Sequence, residues 1–243
     1  MSRPAPARPA QERIEDRLIV ALDLPDVAAA RVMAERLDGV VSFFKLGLWL
    51  IFAPGFDRLL EDLVAQGKRV FLDAKMFDIG ETVKQGVVRA AERGASFVTV
   101  HGDRDIIRAA IEGKGDSALR ILAITMLTSI DDSGARQLGH MLPVAELIRQ
   151  RVATCVELGC DGVIASPHDI GDIRRVPGAG TLLVVTPGVR LPGAALDDHK
   201  RAGSPAQAIA AGADYLVVGR PIVQAPDPAA AAARIIADMR TAA

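Results

Sequence analysis

The feature that most constrains this chain is an alternation. Eight short, continuously apolar runs rich in β-forming residues are separated by longer stretches of helical character. The runs are Leu18–Leu22, Ser42–Leu46, Arg69–Leu72, Ser96–Val100, Arg120–Ile124, Gly162–Ala165, Leu182–Val185 and Tyr215–Val218. A strand with one wet face alternates apolar and polar residues, whereas a strand covered on both faces reads apolar throughout. Continuous runs therefore predict a parallel sheet. Between them lie amphipathic stretches, among them Val27–Leu37, Phe56–Ala65, Thr82–Arg93, Val144–Leu158, Pro205–Ala211 and, after the eighth run, Pro228–Met239. Several end at a glycine (Gly67, Gly94, Gly159, Gly212), where a helix stop needs a left-handed residue.

Eight strand–helix units of roughly 30 residues each have the size of βαβ building blocks. Eight of them close into a (β/α)8 barrel. The alternative, a doubly wound open sheet, normally carries a glycine-rich phosphate loop after its first strand. Here Asp23-Leu24-Pro25-Asp26 follows instead. The expected fold is therefore α/β, a single-domain (β/α)8 TIM barrel over 15–243. A disordered tail, 1–14, precedes it, rich in Pro, Arg and Ala at its start and without the apolar core of a secretory signal. The irregular stretch Pro187–Ser204 is long enough for a lid or binding loop.

Composition narrows the function classes. The 243 residues are 50% hydrophobic and 24% charged, a globular balance. The net charge of -1 argues against a nucleic-acid binder or a protein of acidic membrane surfaces. No apolar run approaches the ~18 residues of a membrane span. Cys155 and Cys160 make neither a disulfide framework nor a zinc site, which points to the reducing cytoplasm. His101 and His168 have no second ligand at metal spacing, so no metal is expected.

In such a barrel the chemistry sits at the C-terminal ends of the strands. The first run ends in Asp23, and the second carries Lys45. The third leads into Asp73, Lys75 and Asp78, and the fourth into His101. The fifth leads to Thr125, Thr128 and Ser129, the sixth to Ser166, the seventh to Thr186 and Arg190, and the eighth to Gly219-Arg220. Residues i and i+2 of a strand share a face, so Asp73 and Lys75 point the same way, with Lys45 one strand over. Asp78 either completes this cluster or reaches into a neighbouring subunit. Two cations and two anions sum to zero, so each buried charge has a partner, and flanking carboxylates hold a lysine protonated. A plain structural ion-pair network is the blander reading of the same residues. The loops after the seventh and eighth strands commonly bind phosphate. Here they carry Thr186-Pro187-Gly188-Val189-Arg190 and Gly219-Arg220-Pro221-Ile222, combining close backbone approach at glycine with a planar guanidinium fork.

Together these residues resemble the orotidine 5'-phosphate decarboxylase family, from about Leu18 to Pro228. The family's Asp-x-Lys-x-x-Asp motif stands as Asp73-Ala74-Lys75-Met76-Phe77-Asp78, accompanied by Ala21-Leu22-Asp23, Phe44-Lys45-Leu46-Gly47 and Leu127-Thr128-Ser129. The resemblance implies a cofactor-free decarboxylation to UMP, the last step of pyrimidine nucleotide synthesis. It implies Lys75 as the acid that protonates C6, Asp73 against the substrate carboxylate, and Lys45 between Asp73 and the ribose. Asp23 would hold the ribose, and Asp78 would come from the partner of a homodimer. Thr82 would join the substrate site, and Thr128 or Ser129 would contact the pyrimidine. Arg190, Gly219 and Arg220 would grip the phosphate. Two departures stand out. Gly80-Glu81 precedes Thr82 where the family usually has Pro-Asn or Gly-Asn, and Asp198-His199 replaces the common Asp-Gln of the phosphate loop. A histidine still donates, so the grip is expected to be altered rather than lost, and to sense pH. The alternatives are a Mg2+-dependent sugar-phosphate decarboxylase or hexulose-phosphate synthase of the same superfamily, and a non-catalytic phosphate-binding barrel. The Mg2+ enzymes place a glutamate where Lys45 stands, and a lysine there repels a divalent cation.

Overall fold

The eight apolar runs pair in chain order, and the last returns to the first. The computed structural model describes residues 12–190 and 203–242. Its strands are β1 (Leu18–Ala21), β2 (Phe43–Gly47), β3 (Arg69–Met76), β4 (Phe97–His101), β5 (Arg120–Ile124), β6 (Gly162–Ile164), β7 (Leu183–Pro187) and β8 (Tyr215–Val218). All neighbours are parallel, and β1 closes on β8 with Leu18 opposite Leu216 and Val20 opposite Val218. The expected (β/α)8 barrel is what the chain forms.

The helices are α1 (Val27–Arg36), α2 (Leu48–Ile51), α3 (Phe56–Ala65), α4 (Gly80–Glu92), α5 (Arg104–Lys114), α6 (Asp132–Gln137), α7 (Val144–Leu158), α8 (Ile170–Arg175), α9 (Pro205–Ala210), α10 (Arg220–Val223) and α11 (Pro228–Arg240). Their starts use local side-chain acceptors, as where Asp26 takes the Ala29 N–H and Asp227 the Ala230 N–H. Gly94 and Gly159 end α4 and α7 at φ of 75° and 73°, a conformation that costs an L side chain but not glycine. The α4 helix starts two residues earlier than its periodicity suggests, because its first turn, Gly80-Glu81, is polar or small and carries no apolar signal.

Strand alternation sorts the apolar residues into two layers. Ile19, Phe43, Phe71, Phe97, Leu122, Val185, Tyr215 and Val217 fill the barrel itself. The alternate residues, such as Val20, Phe44, Leu72, Val98 and Val184, pack outward against the helices. The inward aromatics meet edge to face, with ring centroids 4.9 Å apart for Phe43–Phe97 and 5.2 Å for Phe97–Tyr215. Below them the Arg69 guanidinium lies 4.4 Å over the Phe43 ring and pairs with Glu12 at 3.0 Å. Tyr215 donates its hydroxyl to Glu12 at 2.9 Å. Glu12 lies in the segment expected to be tail, yet it is tied to the barrel floor. Residues 1–11 lie outside the described residues.

Two aspartates brace the same end of the barrel by the same device. Asp161, before β6, pairs with Lys114 and accepts the Ile121 N–H at 2.8 Å. Asp214, before β8, pairs with Arg174 at 2.6 Å and accepts the Val184 N–H at 2.8 Å. Lys114 and Asp161 are both buried, so removing either strands the other charge away from water. Asp161→Asn is expected to lower the unfolding free energy by about 3–5 kcal/mol. Urea titration checks this, and a loss below about 1 kcal/mol would show that the pair is solvated.

Candidate active site

The inward layer changes character at the C-terminal rim. Continuing the barrel-facing series, Ala21 leads to Asp23, Phe43 to Lys45, Phe71 to Asp73, Phe97 to Thr99, and Val217 to Gly219. A cavity of about 610 Å3 opens there. Asp23, Lys45, Asp73, Lys75, Thr128, Arg190, Gly219 and Arg220 line it, with Phe71, Ile124, Met126, Ile164 and Val217 as apolar wall. Eight of the residues singled out from the sequence therefore share one cavity.

Four of them form an alternating chain of charge. Lys45 Nζ lies 3.2 Å from Asp23 Oδ1 and 3.2 Å from Asp73 Oδ2. Lys75 Nζ lies 2.7 Å from the same Asp73 Oδ2. Asp73 Oδ1 accepts the Thr99 hydroxyl at 2.9 Å. Burial is the largest influence on Lys45 and disfavours its ammonium form. Asp73 and Asp23 together outweigh it, so Lys45 sits above its ordinary pKa. Burial likewise opposes the Asp73 carboxylate, but Lys45, Lys75 and the Thr99 hydroxyl hold it below the usual range. Burial pushes His101 down, assisted by Arg151 and Lys75 against Asp103.

The pleat alone does not bring Asp73 and Lys75 together. β3 runs on to Met76 rather than ending at Leu72, and its register against β4 shifts between Leu72 and Met76. Lys75 sits at φ 47°, the one non-glycine residue with positive φ among the described residues. Gly47 makes room beside the cluster, since a Cβ there would stand 2.9 Å from Asp23 Oδ1 and 3.2 Å from Lys45 Nζ.

Gly188, Arg190, Gly219 and Arg220 come from the adjacent ends of β7 and β8 and line the cavity together. The ends of the long loop after β7 are tied by a bridge from Val189 to Gly203, with the Arg190 N–H donated to Gly203 O at 3.0 Å. Residues 191–202 lie outside the described residues, and His199 with them. Other expected residues go elsewhere. Asp78 does not join the cluster within its own chain: it is exposed, and its carboxylate accepts the Ile79 N–H at 2.7 Å. Thr82 is exposed on α4, away from the cavity. Thr125 bonds Ile164 O at 3.0 Å, and Ser166 bonds Asp169, so both serve structure. Glu81 is exposed in the first turn of α4 and accepts from Gln85 at 2.8 Å. Its carboxylate suits the positive N-terminal end of the helix, and it does not line the cavity. Thr99 is the residue that inspection of strand ends missed. Its signal was parity, two residues after the inward Phe97.

Comparison with known proteins shows the family and the same fold. Residues 16–235 match the model of the "Orotidine 5'-phosphate decarboxylase / HUMPS family". The chain is 51% identical over 221 residues to an orotidine 5'-phosphate decarboxylase of Rhodopseudomonas palustris (strain BisA53), covering 91% of this chain and 93% of that protein. It is 47% identical over 227 residues to one from Afipia carboxidovorans, covering 93% and 96%. The crystal structure of orotidine 5'-phosphate decarboxylase from Lactobacillus acidophilus superimposes with a TM-score of 0.81 at 34% identity, covering 92% of this chain and 99% of that one.

The charge chain has a signed pH signature. Asp73 is depressed in the fold, so its contribution is complete above about pH 4 and is lost as pH falls below that. Lys45 is raised, so its contribution is complete below about pH 10.4 and is lost as pH rises beyond. The Tm gap between wild type and Asp73→Asn is expected to be widest between these limits and to narrow outside them. A gap independent of pH would show that packing, and not charge, sets it.

Proposed function

Because the chain belongs to the orotidine 5'-phosphate decarboxylase / HUMPS family, we propose that it converts orotidine 5'-phosphate to UMP and CO2 without a cofactor, with Lys75 supplying the proton that replaces the carboxylate. Carboxy-lyase activity and a place in pyrimidine nucleotide synthesis follow from that membership. The same reading puts the enzyme in the cytoplasm. Among the described residues, no helix is long and apolar enough to cross a membrane.

The observation that carries the mechanism is the Lys75 ammonium, 2.7 Å from a buried carboxylate at the wall of the cavity. Breaking the bond between C6 and the carboxylate releases CO2 and leaves the electron pair on C6. That vinylic carbanion lies in the ring plane and gains little from resonance. The protein must stabilise it by fixed charge in a site of low dielectric. Lys75 presents positive charge there and then transfers a proton from Nζ to C6. Asp73 lies against the departing carboxylate and raises the energy of the bound ground state. Lys45 and Asp23 hold the ribose, and Thr128 contacts the pyrimidine. Arg190, Gly219 and Arg220 grip the phosphate, joined by His199. Binding energy from that distant group lowers the chemical barrier. Lys45 also supports a metal-free reaction, because its ammonium already sits between the two carboxylates a divalent cation would need.

Asp78 and Thr82 serve the site of a partner in a homodimer. Their exposure on their own chain supports this, as do the apolar neighbours of Asp78. Phe77 is 67% exposed and Ile79 74%, the chemistry of a surface that becomes covered.

Orotidine 5'-phosphate is expected to lose its absorbance signature at the same rate with and without EDTA. Lys75→Ala should lower kcat by about 10²–10⁴-fold or more. No turnover, or turnover that EDTA abolishes, would move the assignment to the Mg2+-dependent relatives. A second experiment mixes Lys75→Ala and Asp78→Ala chains after dissociation and reassociation. If Asp78 acts across the interface, half the dimers are mixed and carry one intact site of two, so about a quarter of wild-type activity returns. A mixture that stays inactive would place Asp78 in its own chain's site.

A further inference from the structure

We propose that Thr99 is a positioning residue for the decarboxylation, its hydroxyl tying the main chain of Lys75 to the carboxylate of Asp73 and so fixing the direction of both. This rests on the reading of Lys75 and Asp73 as the reacting pair. Thr99 is fully buried on β4, facing into the barrel above Phe97. Its Oγ1 accepts the Lys75 N–H at 3.0 Å and lies 2.9 Å from Asp73 Oδ1. A hydroxyl has one proton and two lone pairs, and an ionised carboxylate only accepts. The proton is therefore donated to Asp73, and the rotor has a single arrangement.

Two consequences follow from that arrangement. The first concerns the backbone. Lys75 holds a left-handed conformation at φ 47° where the β3–β4 register shifts. Such a conformation persists only where the surroundings over-determine it. At this point the Lys75 N–H is satisfied by a side chain rather than by a strand carbonyl, so Thr99 ties the strained residue to β4 just before the pairing resumes at Met76 and Val100. The second concerns charge. With Oδ1 committed to Thr99, Asp73 turns Oδ2 toward Lys75 at 2.7 Å and Lys45 at 3.2 Å. The terminal torsion of an aspartate is otherwise broad. One hydroxyl thus sets both the lysine that gives the proton and the carboxylate that faces the leaving group.

The charged and titratable groups around Asp73 are Lys45 from β2 with Asp23, just past β1, beyond it, Lys75 from β3, and His101 from β4, which senses Lys75. The Thr99 hydrogen bond is one of the influences that keep Asp73 ionised. Its loss moves Asp73 upward while leaving the other groups in place.

The test compares Thr99→Val, which keeps the shape, with Thr99→Ser, which keeps the hydroxyl. Misplacing a reacting group by an ångström costs about 10²-fold. Thr99→Val is expected to lower kcat by about 10- to 100-fold with KM within about 3-fold of wild type. It should also shift the acid limb of kcat/KM to higher pH. Thr99→Ser should recover kcat to within about 3-fold and restore the limb. In unliganded protein, the Asp73 carboxyl carbon followed by NMR should titrate at higher pH in Thr99→Val and return in Thr99→Ser. If Thr99→Val does not fold, Thr99→Ala takes the same readouts. Wild-type kcat in Thr99→Val overturns the proposal, as does Thr99→Ser being as impaired as Thr99→Val. Inactivity of the wild type itself defeats the functional reading instead. The NMR titration then decides alone, an unchanged Asp73 overturning the role of Thr99.

Discussion

An ionised carboxylate inside a barrel is the constraint on which the rest of the site depends. Asp73 is surrounded by Lys45 at 3.2 Å, Lys75 at 2.7 Å and the Thr99 hydroxyl at 2.9 Å. Removing charge from water costs several kcal/mol per ion unless each lone pair finds a donor. Three donors satisfy Asp73, and Asp23 in turn balances Lys45. The alternation of sign is thus a condition for burying Lys45 and Asp73. It also sets Lys75 beside Asp73 at the wall of the cavity. The proposed chemistry would draw on the same contacts that stabilise the cluster, which comes from the ends of three adjacent strands rather than from one loop.

Much of this was legible in the sequence because the barrel rewards simple periodicity. Strands covered on both faces leave continuous apolar runs, and all eight were readable from Leu18–Leu22 to Tyr215–Val218. Chain order alone then fixed which ends were neighbours. Lys45, Asp73 and Lys75 could be grouped for that reason. What escaped was geometry that no local pattern encodes. The left-handed turn at Lys75 is invisible in Asp-Ala-Lys-Met, since no glycine marks it. Thr99 was overlooked because it lies within an apolar run and not at its end, although its two-residue spacing from Phe97 was there to be read. The start of α4 slipped because Gly80 and Glu81 carry no apolar signal. Thr125 and Ser166 show the converse error: polar residues at the rim whose hydroxyls are spent on Ile164 and Asp169.

The two ends of the barrel divide the labour between them. At one end, Asp161 and Asp214 join strand starts to the helices before them, with Lys114 buried and Arg174 partly buried as their partners. At the other end, Asp23, Lys45, Asp73 and Lys75 surround an open cavity. Between them the edge-to-face rings of Phe43, Phe71, Phe97 and Tyr215 separate one charged layer from the other.

The seating of Glu12 against Tyr215 bears on how the chain is made. Those two residues stand 203 positions apart, and β1 and β8 join the same distant portions of the chain. A ribosome therefore releases the first of each pair long before the second exists. Closure over such separations is slow compared with local contacts. Until β8 emerges, the nascent barrel has an open seam beside β1, and its floor lacks one wall. Asp23 and Gly219, which line opposite sides of that seam, meet only when the seam shuts. The cavity thus comes into being only once β8 has joined β1, and a chain without β8 carries the charges without the enclosure.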